Sequence, residues 1–157
     1  MADRHAAEAD APPAPAHGWP KDSVGYLVWR SYLLFRRAFD DGLAGLEVTM
    51  AQVGMAGELL ERGPRSVADL ARIIGITPQG AALAMDHLRK IGWVAPSQAR
   101  SRGRSVLLEI TDKGRGGYLE AALIVEQVDR EMTDGMTARQ RADAVAALKV
   151  VTGGPGR

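Results

Sequence analysis

The chain has 157 residues and a net charge of +1, and 46% of its residues are hydrophobic, which is enough to build one globular core. It contains no cysteine, which excludes disulfides, cysteine-ligated zinc and thiol-based oxidant sensing. Because it has neither a ~20-residue apolar run nor a signal-peptide pattern, we expect a cytoplasmic protein without membrane contact.

Residues 1–20 are predicted to form a flexible arm, because they are rich in proline, alanine and acidic residues and show no apolar period. The arm contains His5 and His17, which have no partner residues at metal-ligand spacing. We therefore favour solvent-exposed histidines over a metal site, and we expect no metal and no cofactor.

A strong helix is predicted from Ser23 to Asp41, within an N-terminal segment spanning residues 21–45. Its apolar residues cover more than one face, and a helix that is apolar nearly all round is buried nearly all round. One face is expected to pack on its own domain and the other on a second copy, which indicates a homodimer. The alternative is a helix at the centre of a monomeric core.

The next helix begins with a capping box, in which Thr49 caps forward and Gln52 reaches back, and it ends at Gly63. Two glycines, Gly54 and Gly57, lie inside it at some cost in helix propensity. They either permit close helix packing, which we favour, or leave room for a ligand.

Two short helices with a tight turn between them follow. Ser66 is a good N-cap for the first, and Gly75 ends it in the left-handed conformation. Thr77 caps the second helix, and Pro78 occupies its first position, where the missing N–H is harmless. This order predicts a helix-turn-helix.

A β-hairpin is predicted after Gly92, with strands at residues 93–95 and 106–110 and a basic tip carrying Arg100, Arg102 and Arg104. Residues 62–115 hold ten lysine and arginine residues against four acidic ones, so the positive charge is concentrated in this part of the chain. A helix-turn-helix followed by a basic wing indicates DNA binding, with the second helix in the major groove.

Two further helices complete the predicted chain, one from Thr111 to about Glu131 and one opened by the capping box at Thr137 and Gln140. The fold class is thus mostly α with a small β-hairpin wing. Its predicted parts are a winged helix-turn-helix domain and a dimerisation region formed by N- and C-terminal helices. The boundaries are 46–114 for the DNA-binding domain, 115–152 for the C-terminal dimerisation helices and 153–157 for a disordered tail.

The sequence resembles the MarR family of bacterial winged helix-turn-helix transcription regulators from about Ser23 to Val151. The residues that carry the likeness are Leu46, Thr49, Gln52, Arg104, Leu108, Ile110, Thr111, Gly114 and the Thr137–Gln140 segment. The family's wing aspartate is replaced by Arg102, so this wing lacks the family's Asp–Arg pair and is more basic.

The resemblance implies a homodimeric repressor that binds a pseudo-palindromic double-stranded DNA operator and responds to a small aromatic or phenolic effector. The candidate DNA-binding residues are Arg72, Thr77, Pro78, Gln79, Gly80, Ala82, Leu83, His87, Arg89, Lys90, Arg100, Arg102 and Arg104. The candidate ligand-lining residues are Trp29, Tyr32, Phe35, Arg36, Met50 and Met55, for which plain core packing is the alternative.

The alternatives to a transcription regulator are a protein-interaction module and an enzyme. A winged-helix protein-interaction module would show no salt-dependent DNA affinity. An enzyme is not expected, because the sequence has no nucleophile–base arrangement, phosphate-binding glycine loop or metal-ligand cluster. The operator sequence, the regulated genes, the ligand and the sign of the regulation do not follow from the sequence.

Overall fold

The computed structural model describes residues 20–99 and 105–153. These residues form six α-helices, a short 3-10 helix and one two-stranded antiparallel sheet, which confirms the predicted fold class. In chain order the elements are α1 (Val24–Leu43), the 3-10 helix (Ala44–Leu46), α2 (Met50–Arg62), α3 (Val67–Ile74), α4 (Pro78–Lys90), β1 (Val94–Pro96), β2 (Leu108–Ile110), α5 (Asp112–Met132) and α6 (Ala138–Thr152).

The chain divides into two compact units, one ending at Leu34 and the other beginning at Phe35. The described part of the first unit consists mainly of the first half of α1. There Ser23 accepts a hydrogen bond from the backbone N–H of Tyr26 at 3.3 Å, as expected of an N-cap. The helix runs two residues beyond the predicted end at Asp41, since Gly42 does not break it and Leu43 is buried in the core.

Helix α2 is the central element of the second unit and packs against α3, α4, α5 and β2. Its capping box is confirmed: the Gln52 backbone N–H donates to Thr49 Oγ1 at 3.4 Å, and the Thr49 N–H donates to Gln52 Oε1 at 2.8 Å. The buried apolar core around it consists of Leu43, Val48, Val53, Met55, Ala56, Leu59, Leu70, Ala71, Ala81, Met85, Leu88, Trp93, Val94, Leu108, Ile110 and Ala121.

The helix-turn-helix is confirmed, together with its predicted caps. Ser66 Oγ accepts from the Asp69 N–H at 3.1 Å, and Gly75 ends α3 with a φ of 76°. Thr77 Oγ1 then accepts from the Gly80 N–H at 3.1 Å at the start of α4. Leu70, Ala71, Ala81, Met85 and Leu88 bury the facing sides of these two helices.

The two strands pair antiparallel, with Val94 opposite Ile110 and Pro96 opposite Leu108. Strand β1 is shifted by one residue from its predicted position, so that Trp93 precedes it as a buried core residue. Strand β2 is two residues shorter than predicted, and Val106 stays 64% exposed outside it. Arg65 adds a one-residue bridge to this sheet, since it exchanges backbone hydrogen bonds of 3.0 and 2.8 Å with Leu108. The sequence analysis did not predict this bridge.

The start of α5 lies directly against Trp93. A Cβ on Gly114 would overlap the Trp93 carbonyl oxygen, and a Cβ on Gly117 would overlap the Trp93 indole ring. Thr111 joins the same contact, because its hydroxyl donates to the Gly92 carbonyl oxygen at 2.6 Å and accepts from the Gly114 N–H at 3.0 Å. The hairpin is thereby fixed to the helix that follows it.

Helices α1 and α6 bury little of their own surface among the described residues. Helix α1 buries only Leu43, and α6 buries no residue at all. Helix α5 ends at Met132, one residue beyond the predicted end at about Glu131. Helix α6 keeps the predicted capping box, in which the Gln140 N–H donates to Thr137 Oγ1 at 3.2 Å. Across residues 20–99 and 105–153, none of the helices is long and apolar enough to cross a membrane.

Candidate nucleic-acid interface

Helix α4 has one buried and one exposed face, and the exposed face carries six of the 13 predicted DNA-binding residues. Ala81, Met85 and Leu88 point into the core. The exposed residues, at positions spaced by three and four along the helix, are Pro78, Gln79, Ala82, Leu83, Asp86, Arg89 and Lys90. A row of this kind can enter a groove as a unit, because residues three and four apart lie on the same side of a helix.

The N-terminal part of this face is uncharged, whereas its C-terminal part is charged. Gln79 provides an amide that can pair with adenine, and Leu83, which is 67% exposed, provides a methyl surface that can contact thymine. Gly80 is half-buried and donates its N–H to the Thr77 cap. The cap therefore also orients the first turn of the helix.

One of the cations on α4, Lys90, forms an ion pair with an acidic residue of the same helix. Lys90 Nζ lies 2.8 Å from Asp86 Oδ2, and this contact, a hydrogen bond reinforced by the ammonium charge, lowers the pKa of Asp86. Asp86 is an acidic residue of the exposed face that the sequence analysis left out, although its spacing of four from Lys90 was visible. Arg89 is exposed on the same turn.

Arg72 of α3 is likewise paired, with its Nη2 3.3 Å from Asp69 Oδ1 and a side chain that is 76% exposed. The Ser66 hydroxyl donates to Asp69 Oδ2 at 2.8 Å. The hydrogen bond from Ser66, followed by that from Arg72, lowers the pKa of Asp69. The N-cap, the carboxylate and the cation thus form one local group at the start of the helix-turn-helix.

His87, one of the candidate DNA-binding residues, makes a contact within the protein that was not predicted from the sequence. It is half-buried, and its Nε2 lies 2.7 Å from the carbonyl oxygen of Glu47. Glu47 is the only non-glycine residue with a positive φ, 55°, in the described part of the chain. His87 therefore links α4 to the turn that precedes α2, and this contact engages its Nε2 within the protein.

The three wing arginines, Arg100, Arg102 and Arg104, lie outside the described residues. The described base of the wing is held by the Ser97 N–H, which donates to the Leu107 carbonyl oxygen at 2.8 Å. The Ser97 hydroxyl also donates to Glu109, the residue paired with Ala95 in the sheet.

The candidate ligand-lining residues of the second unit are in different environments. Met50 lines a cavity of about 300 Å³ between α2 and α5. Met55 has no exposed surface and belongs to the core, so the alternative of plain packing applies to it. Phe35 packs against Phe39 with ring centroids 5.8 Å apart, and Arg36 pairs with Asp40 at 3.7 Å.

The remaining two candidates, Trp29 and Tyr32, lie on α1 in the first unit and are 49% and 57% exposed. Trp29 packs against Tyr26 with ring centroids 5.8 Å apart. Among residues 20–99 and 105–153, no group of three or more histidine and acidic side chains is arranged to hold a metal ion.

The two glycines inside α2 lie at close helix contacts and also beside a cavity. A Cβ on Gly57 would come within 3.0 Å of the Tyr118 ring, and one on Gly54 within 3.2 Å of Ile74. The two glycines thus allow close packing, and both also line the cavity between α2 and α5. Tyr118 and Glu58, which the sequence analysis did not select, line it as well.

Comparison with known proteins identifies a set of bacterial regulators. No protein-family model matches the chain. The HTH-type transcriptional repressors Rv2887 of Mycobacterium tuberculosis and Mb2911 of Mycobacterium bovis are each 28% identical to it over 120 residues. Each match covers 76% of this chain and 86% of the relative.

Solved structures show the same relationship. The MarR family protein Rv2887, in complex with salicylic acid, superposes with a TM-score of 0.68 at 28% identity, covering 82% of this chain and 96% of that one. BpsR of Bordetella bronchiseptica, a DNA-binding protein regulated by 6-hydroxynicotinic acid, superposes with a TM-score of 0.76 at 23% identity. The match covers 88% of this chain and 98% of BpsR. A mutant of Escherichia coli MarR complexed with operator DNA superposes with a TM-score of 0.71 at 22% identity. The match covers 81% of this chain and 91% of that one. The resemblance to the MarR family is confirmed.

Proposed function

We propose that this chain, which has the MarR-family fold, is a homodimeric transcriptional repressor that binds a pseudo-palindromic DNA operator and is modulated by a small aromatic ligand. The observation that carries the proposal is the exposed face of α4, which presents base-reading side chains at one end and cations at the other. The similarity to the repressor Rv2887 supports it over most of the chain.

In this proposal α4 enters the major groove. Gln79 pairs with adenine, Ala82 and Leu83 contact thymine methyl groups, and the first turn around Pro78 approaches the base edges. The phosphate contacts come from Arg72, Arg89, Lys90 and the wing arginines. Phosphate binding has to compete with the ion pairs of Arg72 and Lys90, so part of the affinity is offset by breaking them.

His87 has a positioning role in this scheme. Its contact with the Glu47 carbonyl oxygen holds the second half of α4 against the turn before α2, so it orients the helix instead of reading a base. We propose this positioning role for His87, and its predicted contact with DNA stays a prediction.

A homodimer accounts for the apolar surface that the chain leaves exposed. On α1 this surface includes Leu27, Trp29 and Leu34, and on α5 it includes Leu119 and Leu123, all between 49% and 66% exposed. Apolar surface of this extent marks association sites. We assign residues 21–45 and 115–152 to dimerisation and residues 46–114 to DNA binding. The two α4 helices of the dimer would lie ~34 Å apart or a multiple of it, to match successive turns of DNA.

The other assignments are consistent with a regulator. We infer a cytoplasmic protein without enzymatic activity, since its relatives are transcriptional regulators. The effector would be sensed by binding and not by thiol oxidation, because the chain has no cysteine. Rv2887 complexes with salicylic and p-aminosalicylic acid support an aromatic effector as the general class.

The test is a mobility-shift titration of the purified protein against the DNA that flanks its own gene, at two salt concentrations. We expect selective binding that weakens steeply with salt, because cations release counterions when they contact phosphates. Selective binding to no fragment, either here or in a selection from genomic DNA, would contradict the proposal. It would favour a winged helix that holds a protein partner.

A further inference from the structure

Asp86 lies on the side of α4 that is turned away from the core. The stripe opposite the buried face of this helix is formed by exposed residues spaced by four, three and four, namely Gln79, Leu83, Asp86 and Lys90. At about 100° per residue, these four side chains lie within about 60° of one another around the helix axis. Asp86 therefore shares the surface that faces the base edges when α4 enters the major groove.

A carboxylate is costly on a surface that approaches DNA. The phosphates repel it whatever the base sequence, so Asp86 lowers the affinity for every duplex. The Lys90 ammonium, 2.8 Å from Asp86 Oδ2, offsets part of this repulsion. The hydrogen bond from Lys90 also lowers the pKa of Asp86 and so keeps the carboxylate ionised at neutral pH. Because an ammonium has three donors, Lys90 can still contact a phosphate.

The carboxylate of Asp86 stays accessible in this ion pair, since its side chain is 53% exposed. An ionised carboxylate accepts hydrogen bonds and donates none. In the major groove guanine and thymine present acceptors, which repel it, whereas cytosine and adenine each present an amino group. Adenine places its N7 acceptor beside that amino group, and cytosine places only a C–H there. Cytosine is thus the base that fits a carboxylate best.

We propose that Asp86 is a specificity-determining residue that accepts a hydrogen bond from the N4 amino group of one cytosine in each operator half-site. Lys90 positions the carboxylate for this contact. The proposal rests on the proposed function, in which α4 enters the major groove. Seven residues separate Gln79 from Asp86, or about 10 Å along the helix, so the cytosine is expected within about three base pairs of the base that Gln79 contacts.

The experiment is a selection of bound sequences from a pool of random double-stranded DNA, with the full-length wild-type protein and two variants. We expect the wild-type protein to enrich a two-fold symmetric site that favours cytosine about tenfold at one position of each half-site. Asp86→Ala should reduce this preference to about twofold or less, because the new side chain has no acceptor. Asp86→Asn should favour adenine there, since an amide pairs with both N6 and N7 of adenine.

A second measurement separates base reading from general repulsion. On a duplex that lacks the selected site, Asp86→Ala should bind several-fold more tightly than the wild-type protein, and added NaCl should reduce the gain. The matched control is Asp112→Asn, which removes the same charge from another exposed ion pair, with Arg115 at 3.9 Å in the first turn of α5. It should leave the base preferences unchanged. Circular dichroism verifies that all variants are folded.

The inference is overturned if Asp86→Ala keeps the wild-type base preferences at every position, or if Asp112→Asn changes them in the same way. Weaker binding of Asp86→Ala to both the selected and the unrelated duplex would assign Asp86 a structural role and overturn it as well. A wild-type protein that enriches no sequence contradicts the proposed function and this inference together. An enriched operator with unchanged preferences in Asp86→Ala contradicts this inference alone.

Discussion

Helix α2 and helix α6 are of similar length but differ in how much of their surface is buried. Helix α2 buries six of its 13 residues and contacts three helices and a strand, whereas α6 buries none of its 15. Both begin with a complete capping box, so local signals alone do not explain the difference. Local hydrogen bonds start a helix, but tertiary burial provides most of its stability, and the single chain provides that burial to α2 and not to α6.

The largest expected effect is on the free energy of unfolding, and it comes from a substitution in the buried core. Leu70→Ala removes a side chain with no exposed surface and should lower the free energy of unfolding by about 2–5 kcal/mol. Leu83→Ala, the same substitution at a side chain that is 67% exposed, should change it by less than about 0.5 kcal/mol. Urea unfolding of both variants measures the difference, and equal losses would contradict the assignment of the core.

A second pair of substitutions tests the contact between α5 and the hairpin. Gly114→Ala places a Cβ on the Trp93 carbonyl oxygen and should destabilise the protein by about 1–3 kcal/mol. Gly116→Ala, two residues away on the same helix, meets no atom within 4 Å and should stabilise it by about 0.5–1 kcal/mol. Thermal unfolding should give shifts of opposite sign, and the same sign for both would show that the close approach is not what requires glycine.

A third pair of substitutions places a charge on the exposed apolar surface and at a control position. Leu123→Glu on α5 changes a side chain that is 66% exposed, and it should weaken dimerisation about tenfold or more, because a charge would be buried in the interface. Sedimentation equilibrium measures the dimer dissociation constant. Gln98→Glu adds the same charge at an exposed loop position and serves as the control. If Leu123→Glu leaves the dissociation constant unchanged, α5 does not contribute to the dimer.

The smallest effect concerns the cap of α3. Ser66→Ala removes the acceptor for the Asp69 N–H and should cost about 1 kcal/mol of stability. It also removes the hydroxyl that lowers the pKa of Asp69, so that pKa, measured by NMR titration, should rise toward 3.8.

The sign of the pH effect follows from the lowered pKa. A carboxylate with a lowered pKa stabilises the fold at pH values above its unfolded pKa, and the contribution disappears as the pH falls through the folded value. The Ser66→Ala variant should therefore lose less stability on acidification than the wild-type protein. A pKa of Asp69 that stays low in the variant would assign the shift to Arg72 instead.

Most of the local structure could be predicted from the sequence. Ser66, Gly75, Thr77 and Pro78 act within one or two turns of their own helix, so their neighbours along the chain determine the outcome. The strand boundaries were less predictable, because the position of Trp93 depends on the approach of α5 and not on the apolar run that contains it.

The candidate site was predictable in part. The exposed face of α4 follows from helical spacing, and the structure keeps Gln79, Ala82, Leu83, Arg89 and Lys90 on it. The placement of His87 did not follow, since its partner Glu47 is 40 residues away in sequence. The wing arginines lie outside the described residues, and their role stays a prediction.

The order of the helices, their caps and the helix-turn-helix follow from the amino-acid sequence, because capping and amphipathic spacing are short-range properties. Three features depend on tertiary packing: which glycines make close contacts, where Arg65 joins the sheet, and the cavity that Glu58, Gly57 and Tyr118 line. Each of these depends on residues from separate elements meeting in space, and their separation along the chain carries no periodic signal that would reveal the contact.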